Sequence, residues 1–151
     1  MTERIFLDTN VLVYADDWRW DALGVVQREQ GENARFPWLQ TPRIDRFAAE
    51  GFAAMKIRFH RGDWRDDIAA LEAVRDAVGD RLVLMVDCNQ GWRMPWDTEA
   101  PWTLKDALQV ARELERLGVY WMEEPLHRAD REGMKRLRDS VDVRIAGGEM
   151  T

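Results

Sequence analysis

The sequence predicts an α/β fold, a partial (β/α)8 TIM barrel of about four βα units plus a fifth strand. Three observations carry this. Short apolar runs alternate with amphipathic stretches of helical period along residues 41–151, and alternation of that kind builds right-handed βαβ units around a parallel sheet. One run, Leu82–Val86, is apolar throughout, the pattern of a strand buried on both faces. Finally, carboxylates stand just past three of the strands, at Asp87, Glu123 and Glu149. A parallel barrel opens all its strand C-termini onto one face.

The elements follow in order. The first strand falls within Phe6–Ala15 and is placed at Val11–Ala15, which leaves Asp8 outside the barrel. Residues 16–40 are charged and Trp-rich, with no sustained period, so 1–40 is set apart as a first strand and a poorly defined segment. From 41 to 151 the text is regular and reads as the N-terminal half of the barrel. Thr41 before Pro42 is a helix N-cap with proline at the first helical position, Ile44, Phe47 and Ala48 share one face, and Gly51 ends the helix. Phe52–Phe59 is a strand. Asp66–Val78 is a helix with Ile68, Leu71, Val74 and Val78 on one side. Gly79-Asp80 turns into Leu82–Val86, and the loop Gln90–Trp102 leads to Thr103, where TLKD has the form of a capping box. The helix that follows carries the stripe Leu104, Leu108, Ala111, Leu114 and Leu117 and stops at Gly118. Val119–Met122 is a strand, Glu132–Ser140 a short helix, and Val143–Ala146 the fifth strand.

A full (β/α)8 barrel takes about 250 residues. A chain of 151 residues reaching only its fifth strand is expected to be a truncated barrel, inactive and marginally stable by itself. Composition narrows the function. Apolar residues make up 46% and charged residues 33%, the balance of a globular protein. No run of about 18 apolar residues is present, and no secretory leader pattern opens the chain, so a cytoplasmic protein is expected. The net charge of −6 disfavours a nucleic-acid partner, which demands clustered cations. The single cysteine, Cys88, rules out an internal disulfide and a cysteine zinc site. Eight tryptophans, most of them in loop text, call for a surface to cover, whether ligand, second domain or partner.

Three anions converging on one point repel strongly unless a cation sits among them. Ligation by carboxylate oxygen alone selects a hard ion such as Mg²⁺. In AMKIRF, Lys56 and Arg58 are two residues apart and face one side, with Met55 and Ile57 on the other. Two cations in a buried strand require facing anions, which the carboxylates and an anionic substrate provide.

Taken together, Lys56-x-Arg58, DCNQGW (Asp87 to Trp92), WMEEPL (Trp121 to Leu126) and IAGGE (Ile145 to Glu149) resemble the enolase superfamily, in its mandelate racemase and muconate lactonizing group. The resemblance covers residues 41–151. It implies that Asp87, Glu123 and Glu149 hold Mg²⁺, that Asn89 sits beside the site, and that Glu124 stands behind it; the loop itself offers Asn89, Arg93 and tryptophan faces to a polar sugar-acid substrate. It implies that Lys56 neutralises a substrate carboxylate and that position 58 faces the substrate's α-carbon, with Lys56 and Arg58 as the catalytic pair. The shared step is removal of a proton α to a carboxylate to give an enediolate. Many members have lysine where this chain has Arg58, and arginine is a poor base. The base is therefore expected on a later strand, and dehydration of a sugar acid is favoured over racemisation or epimerisation. The full-length enzyme is expected to be a homo-oligomer acting on a small carboxylate.

A competing resemblance is confined to the first residues. FLDTNVLVYA is similar to the opening of PIN-type ribonucleases, where the first catalytic aspartate would be Asp8.

Overall fold

The computed structural model describes residues 5–8, 52–59, 63–93, 98 and 100–148. Five strands lie in one parallel sheet in sequence order: β1 (Ile5–Asp8), β2 (Phe52–Arg58), β3 (Val83–Asp87), β4 (Trp121–Glu123) and β5 (Arg144–Ala146). Three helices follow β2, β3 and β4 in turn: α1 (Trp64–Val78), α2 (Leu104–Arg116) and α3 (Arg131–Arg138). A sheet whose neighbours are always consecutive, joined by helical crossovers, is the wall of a (β/α) barrel and not a doubly wound sheet, whose strand order reverses. Among the described residues no helix is long and apolar enough to cross a membrane.

One strand is corrected. The segment that pairs with β2 is Ile5–Asp8, so Asp8, expected outside the barrel, is inside the sheet in register with Lys56; the expected strand Val11–Ala15 lies outside the described residues. The helix expected from Thr41 and the Trp-rich stretch before it lie outside the described residues.

Register decides which side chains share a face. Arg58 pairs with Asp87, Asp87 with Glu123, and Lys56 with Met85. Because strand side chains alternate, Lys56, Arg58, Met85, Asp87 and Glu123 all stand on one side of the sheet. Met55, Ile57, Leu84, Val86 and Met122 stand on the other, where they are buried in one cluster with Ile68, Leu71, Val74, Val110, Ala111, Leu114 and Leu137 of the helices. Leu82–Val86 is not buried throughout: Val83 is 44% exposed. It opens β3 on the same face as Met85, beyond the reach of the helix layer.

Local chemistry sets the helix ends. Asp63 caps α1 by accepting from the Arg65 N–H, which starts that helix two residues before the expected Asp66. Asp130 caps α3 by accepting from the Gly133 N–H at 2.8 Å. Thr103 and Asp106 form the complete capping box on α2: the Thr103 hydroxyl accepts from the Asp106 N–H, and the Asp106 carboxylate accepts from the Thr103 N–H at 2.9 Å. The buried face of α2 is Ala107, Val110, Ala111 and Leu114. Leu104 and Leu108, expected in the stripe, are only half-buried at its margin. At the far end from the capped termini, Arg75 donates to the carbonyls of Leu117, Gly79 and Gly118 at 2.9, 2.7 and 3.2 Å. One guanidinium thus satisfies backbone acceptors at the C-terminal ends of both α1 and α2.

The cap gives a measurable expectation. The Thr103 hydrogen bonds hold the Asp106 carboxyl below its ordinary range. Its contribution to stability is therefore present above the ordinary carboxylate pKa and is lost as pH falls through the depressed one. Thr103→Ala should cost about 1 kcal/mol in urea unfolding at neutral pH and move the Asp106 titration, followed by NMR, back toward the usual value. An unmoved Asp106 titration would show that the box is not formed in solution.

Candidate metal centre at the strand ends

The site is assembled where β2, β3 and β4 end. Lys56 and Asp87 are buried at 7% and 1% exposure, deep on the barrel-side face. The Lys56 ammonium donates to Glu123 Oε2 at 3.1 Å and lies 3.8 Å from Asp87 Oδ2. The Arg58 Nη2 lies 3.2 Å from that same Asp87 oxygen. Accessibility rises from the Asp87 side chain at 2% to Glu123 at 17% and Arg58 at 31%, so the cluster opens outward at the carboxyl ends of the strands.

Each oxygen of Asp87 has its own task. Oδ1 accepts the Asn89 N–H at 3.0 Å, an aspartate turning its own backbone two residues on, while Oδ2 faces the two cations. Burial pushes the Asp87 carboxyl above its ordinary value; the Asn89 bond and the neighbouring Arg58 and Lys56 work against that rise, and Glu123 adds to it. Asn89 itself adopts a left-handed φ of 53°, a conformation Asn tolerates better than most residues. Its side-chain amide donates to the Phe59 carbonyl at 2.7 Å, tying the end of β2 to the turn after β3.

The structure thus gathers four of the residues singled out in the sequence: Lys56, Arg58, Asp87 and Glu123. Asn89 is adjacent to them, with its amide engaged on β2. Arg93 is half-buried in the loop beyond β3. Glu149 lies outside the described residues, and among those described no cluster of three possible metal ligands is formed. The donors present nevertheless suit a hard cation. Asp87 and Glu123 are carboxylates on adjacent, register-paired positions, and both lie within ion-pair distance of one ammonium. Two carboxylates that can share that positive charge can share a metal's. Cys88 is fully buried and its thiol is pushed well up by burial, so it offers no nucleophile.

The contacts of Gln90 and the backbone of Glu124, a residue already expected behind the site, escaped the sequence reading. Gln90 closes the long loop on itself: its side chain donates to the Cys88 carbonyl at 3.0 Å and accepts the Trp102 N–H at 3.0 Å, and Trp102 meets the Phe59 ring edge-on. Glu124 is buried at 5% with a left-handed φ of 45°. Neither arrangement could be found from spacing, since each joins residues well apart in the chain.

Residues 42–151 match the sequence profile of the family described as Enolase C-terminal domain-like. The chain belongs to the enolase superfamily. Within it the likeness is to the mandelate racemase and muconate lactonizing group. The L-talarate/galactarate dehydratase of Salmonella typhimurium LT2 is 38% identical over 100 residues, covering 66% of this chain and 23% of that protein. The L-Ala-D/L-Glu epimerase of Bacillus subtilis is 32% identical over 107 residues, covering 70% of this chain and 26% of that one. The crystal structure of the Salmonella dehydratase liganded with Mg and L-lyxarohydroxamate superposes with a TM-score of 0.61 at 33% identity, covering 73% of this chain and 26% of that chain. This chain therefore spans about a quarter of the length of the relatives it matches.

Removing Lys56 tests the electrostatics. Lys56→Met leaves two carboxylates facing each other with one cation fewer, which costs about 3–5 kcal/mol for a buried pair. The raised Asp87 pKa sets the pH dependence. The cost of ionising that carboxyl in the fold is absent in acid, where folded and unfolded forms both hold the proton, and it grows as pH rises past the ordinary carboxylate value. Urea titrations should therefore show a large loss for Lys56→Met at neutral pH and a smaller one in mild acid. An equal loss at both would mean Lys56 stabilises by packing alone.

Proposed function

We propose that this chain supplies the metal-binding strands of a Mg²⁺-dependent enzyme that removes the proton α to a carboxylate, acting as a sugar-acid dehydratase. The observation that carries this reading is the register-paired Asp87 and Glu123 with Lys56 between them and Arg58 on the outer side of Asp87. Asp87 and Glu123, joined by Glu149 from the segment after β5, are the residues assigned to hold the ion. When bound, Mg²⁺ supplies Lewis-acid stabilisation of the charge that develops on the substrate carboxylate.

The chain's own cations have distinct parts. Lys56, deep and held against Glu123, contributes fixed positive charge beside the substrate carboxylate. Arg58, 31% exposed, reaches the opening and stabilises negative charge there; a guanidinium keeps its proton and is unsuited to take another group's. The base is assigned to an element outside the described residues. Asn89 and Arg93 are assigned to the substrate, with Asn89 retaining its carbonyl oxygen for that purpose while its amide nitrogen is spent on Phe59. A soluble cytoplasmic homo-oligomer completes the reading, and the 151-residue chain alone is expected to show no turnover.

Dehydration is preferred because it needs a single base plus an acid for the departing hydroxyl. Racemisation needs a proton-transfer group near neutral pKa on each face of the α-carbon, and Arg58 does not provide one. The epimerase among the relatives keeps racemisation or epimerisation as the second reading.

Two measurements on the whole protein test these assignments. Calorimetric titration should detect Mg²⁺ binding that Asp87→Ala abolishes; unchanged binding would refute the site. Incubation with aldonic and aldaric acids in D₂O should yield a 2-keto-3-deoxy acid. Deuterium entering recovered substrate in both configurations, without loss of water, would overturn dehydration in favour of racemisation.

A further inference from the structure

Helix α2 carries a leucine pair that the core does not use. Its buried face is Ala107, Val110, Ala111 and Leu114, while Leu104 and Leu108 stay half-buried at the margin. They stand one turn apart along the helix and supply the apolar surface of a groove of about 400 Å³ between α2 and α3. Lys105, Gln109 and Arg112 of α2 and Arg136 of α3 complete its lining, and all four are exposed. The helices cover the face of the sheet opposite Lys56 and Asp87. The groove is therefore separate from the metal centre and owes nothing to that reading.

The charge of the groove runs against that of the chain. The net charge is −6, yet every charged residue lining the groove is a cation. Among the described residues no carboxylate lies within ion-pair distance of Lys105, Arg112 or Arg136. The nearby acids are otherwise placed: Asp106 is held by Thr103 in the capping box, Glu113 by Arg116, and Glu132, one turn before Arg136, makes no pair with it. Leucines ringed by unmatched cations are completed by an occupant with an apolar face and carboxylates beside it.

Shape and charge together select the kind of occupant. A second copy docked across a two-fold axis would set the patch against itself and oppose like charges. A bilayer surface is flat, and leucines recessed between two helices cannot enter it. A phosphate backbone would meet the cations and leave the leucines uncovered. We infer that the α2–α3 groove is a docking site for an acidic amphipathic helix of a partner protein, whose apolar stripe covers Leu104 and Leu108 while its flanking carboxylates meet Lys105, Arg112 and Arg136. A helix laid into an apolar groove is a common mode of recognition.

The probe is a fluorescein-labelled synthetic helix with leucines at i, i+4 and i+7, flanked by glutamates and titrated into the whole protein by fluorescence anisotropy. A second peptide has lysine at every glutamate position. The acidic peptide should bind about 10-fold or more tightly than the basic one, and its affinity should fall as salt screens the pairs. The net charge of the chain alone predicts the opposite preference. Arg112→Glu combined with Arg136→Glu should reverse the order of the two peptides, since each carboxylate then meets a like charge. Leu108→Ser should weaken the acidic peptide and leave its salt dependence unchanged; Leu104→Ser serves if far-UV circular dichroism shows Leu108→Ser unfolded. Equal affinity for the two peptides, or a preference that survives the double charge reversal, would overturn the inference. Phosphatidylserine vesicles bound through Arg112 and Arg136 would overturn it in favour of a membrane. Self-association lost in Leu108→Ser, followed by sedimentation, would overturn it in favour of a second copy.

Discussion

The parallel register across β2, β3 and β4 is the constraint on which the rest of the molecule depends. Arg58 opposite Asp87 and Asp87 opposite Glu123 put three charged residues at one level of the sheet and on one side. A slip of one residue in β3 would exchange its two faces. Asp87 would then be driven among Ile68, Leu71 and Val110, and Leu84 and Val86 would be turned toward the charged cluster. The apolar helix-side face holds the register and the charged face exploits it. Packing on one side of the sheet therefore decides chemistry on the other.

That charged face is tolerable because it is internally matched. Lys56 and Asp87 are among the few buried charged residues described, and isolated ions at such depth would cost several kcal/mol each. Here each cation has a carboxylate within ion-pair distance. The compensation is incomplete, since burial still keeps the Asp87 carboxyl above its ordinary value. The remaining rise is the cost of burying a carboxylate, which ion pairs offset only in part.

The turns that end the strands share a device. After β3 and after β4 the chain passes through left-handed residues, Asn89 and Glu124, and neither is glycine. Both reach sideways: Asn89 to the carbonyl of Phe59 on the β2 side, Glu124 to the backbone at Ala146 and Gln90. Successive strand exits are therefore laced by the residues that terminate them, and the backbone strain is borne at the mouth of the site.

By itself the sequence determined the alternation of elements, the capping box at Thr103, and the placing of Asp87 and Glu123 at the ends of their strands, because these depend on local hydrogen bonding and on periods of 2 and 3.6 residues. It also placed Lys56 and Arg58 on one face, since strand alternation is local. It did not find the strand Ile5–Asp8, whose place rests on the neighbouring β2 and not on a local pattern. Nor did it centre the α2 stripe on Ala107 and Val110 instead of Leu104 and Leu108, where size misleads: close approach of helix to sheet favours the small residue. The pairing of Gln90 with Trp102, 12 residues away, and the seat of Glu124 at Gly91 were decided by tertiary structure alone. Such contacts join loops from different strands, and no local pattern encodes a distance that exists only once the sheet has closed it.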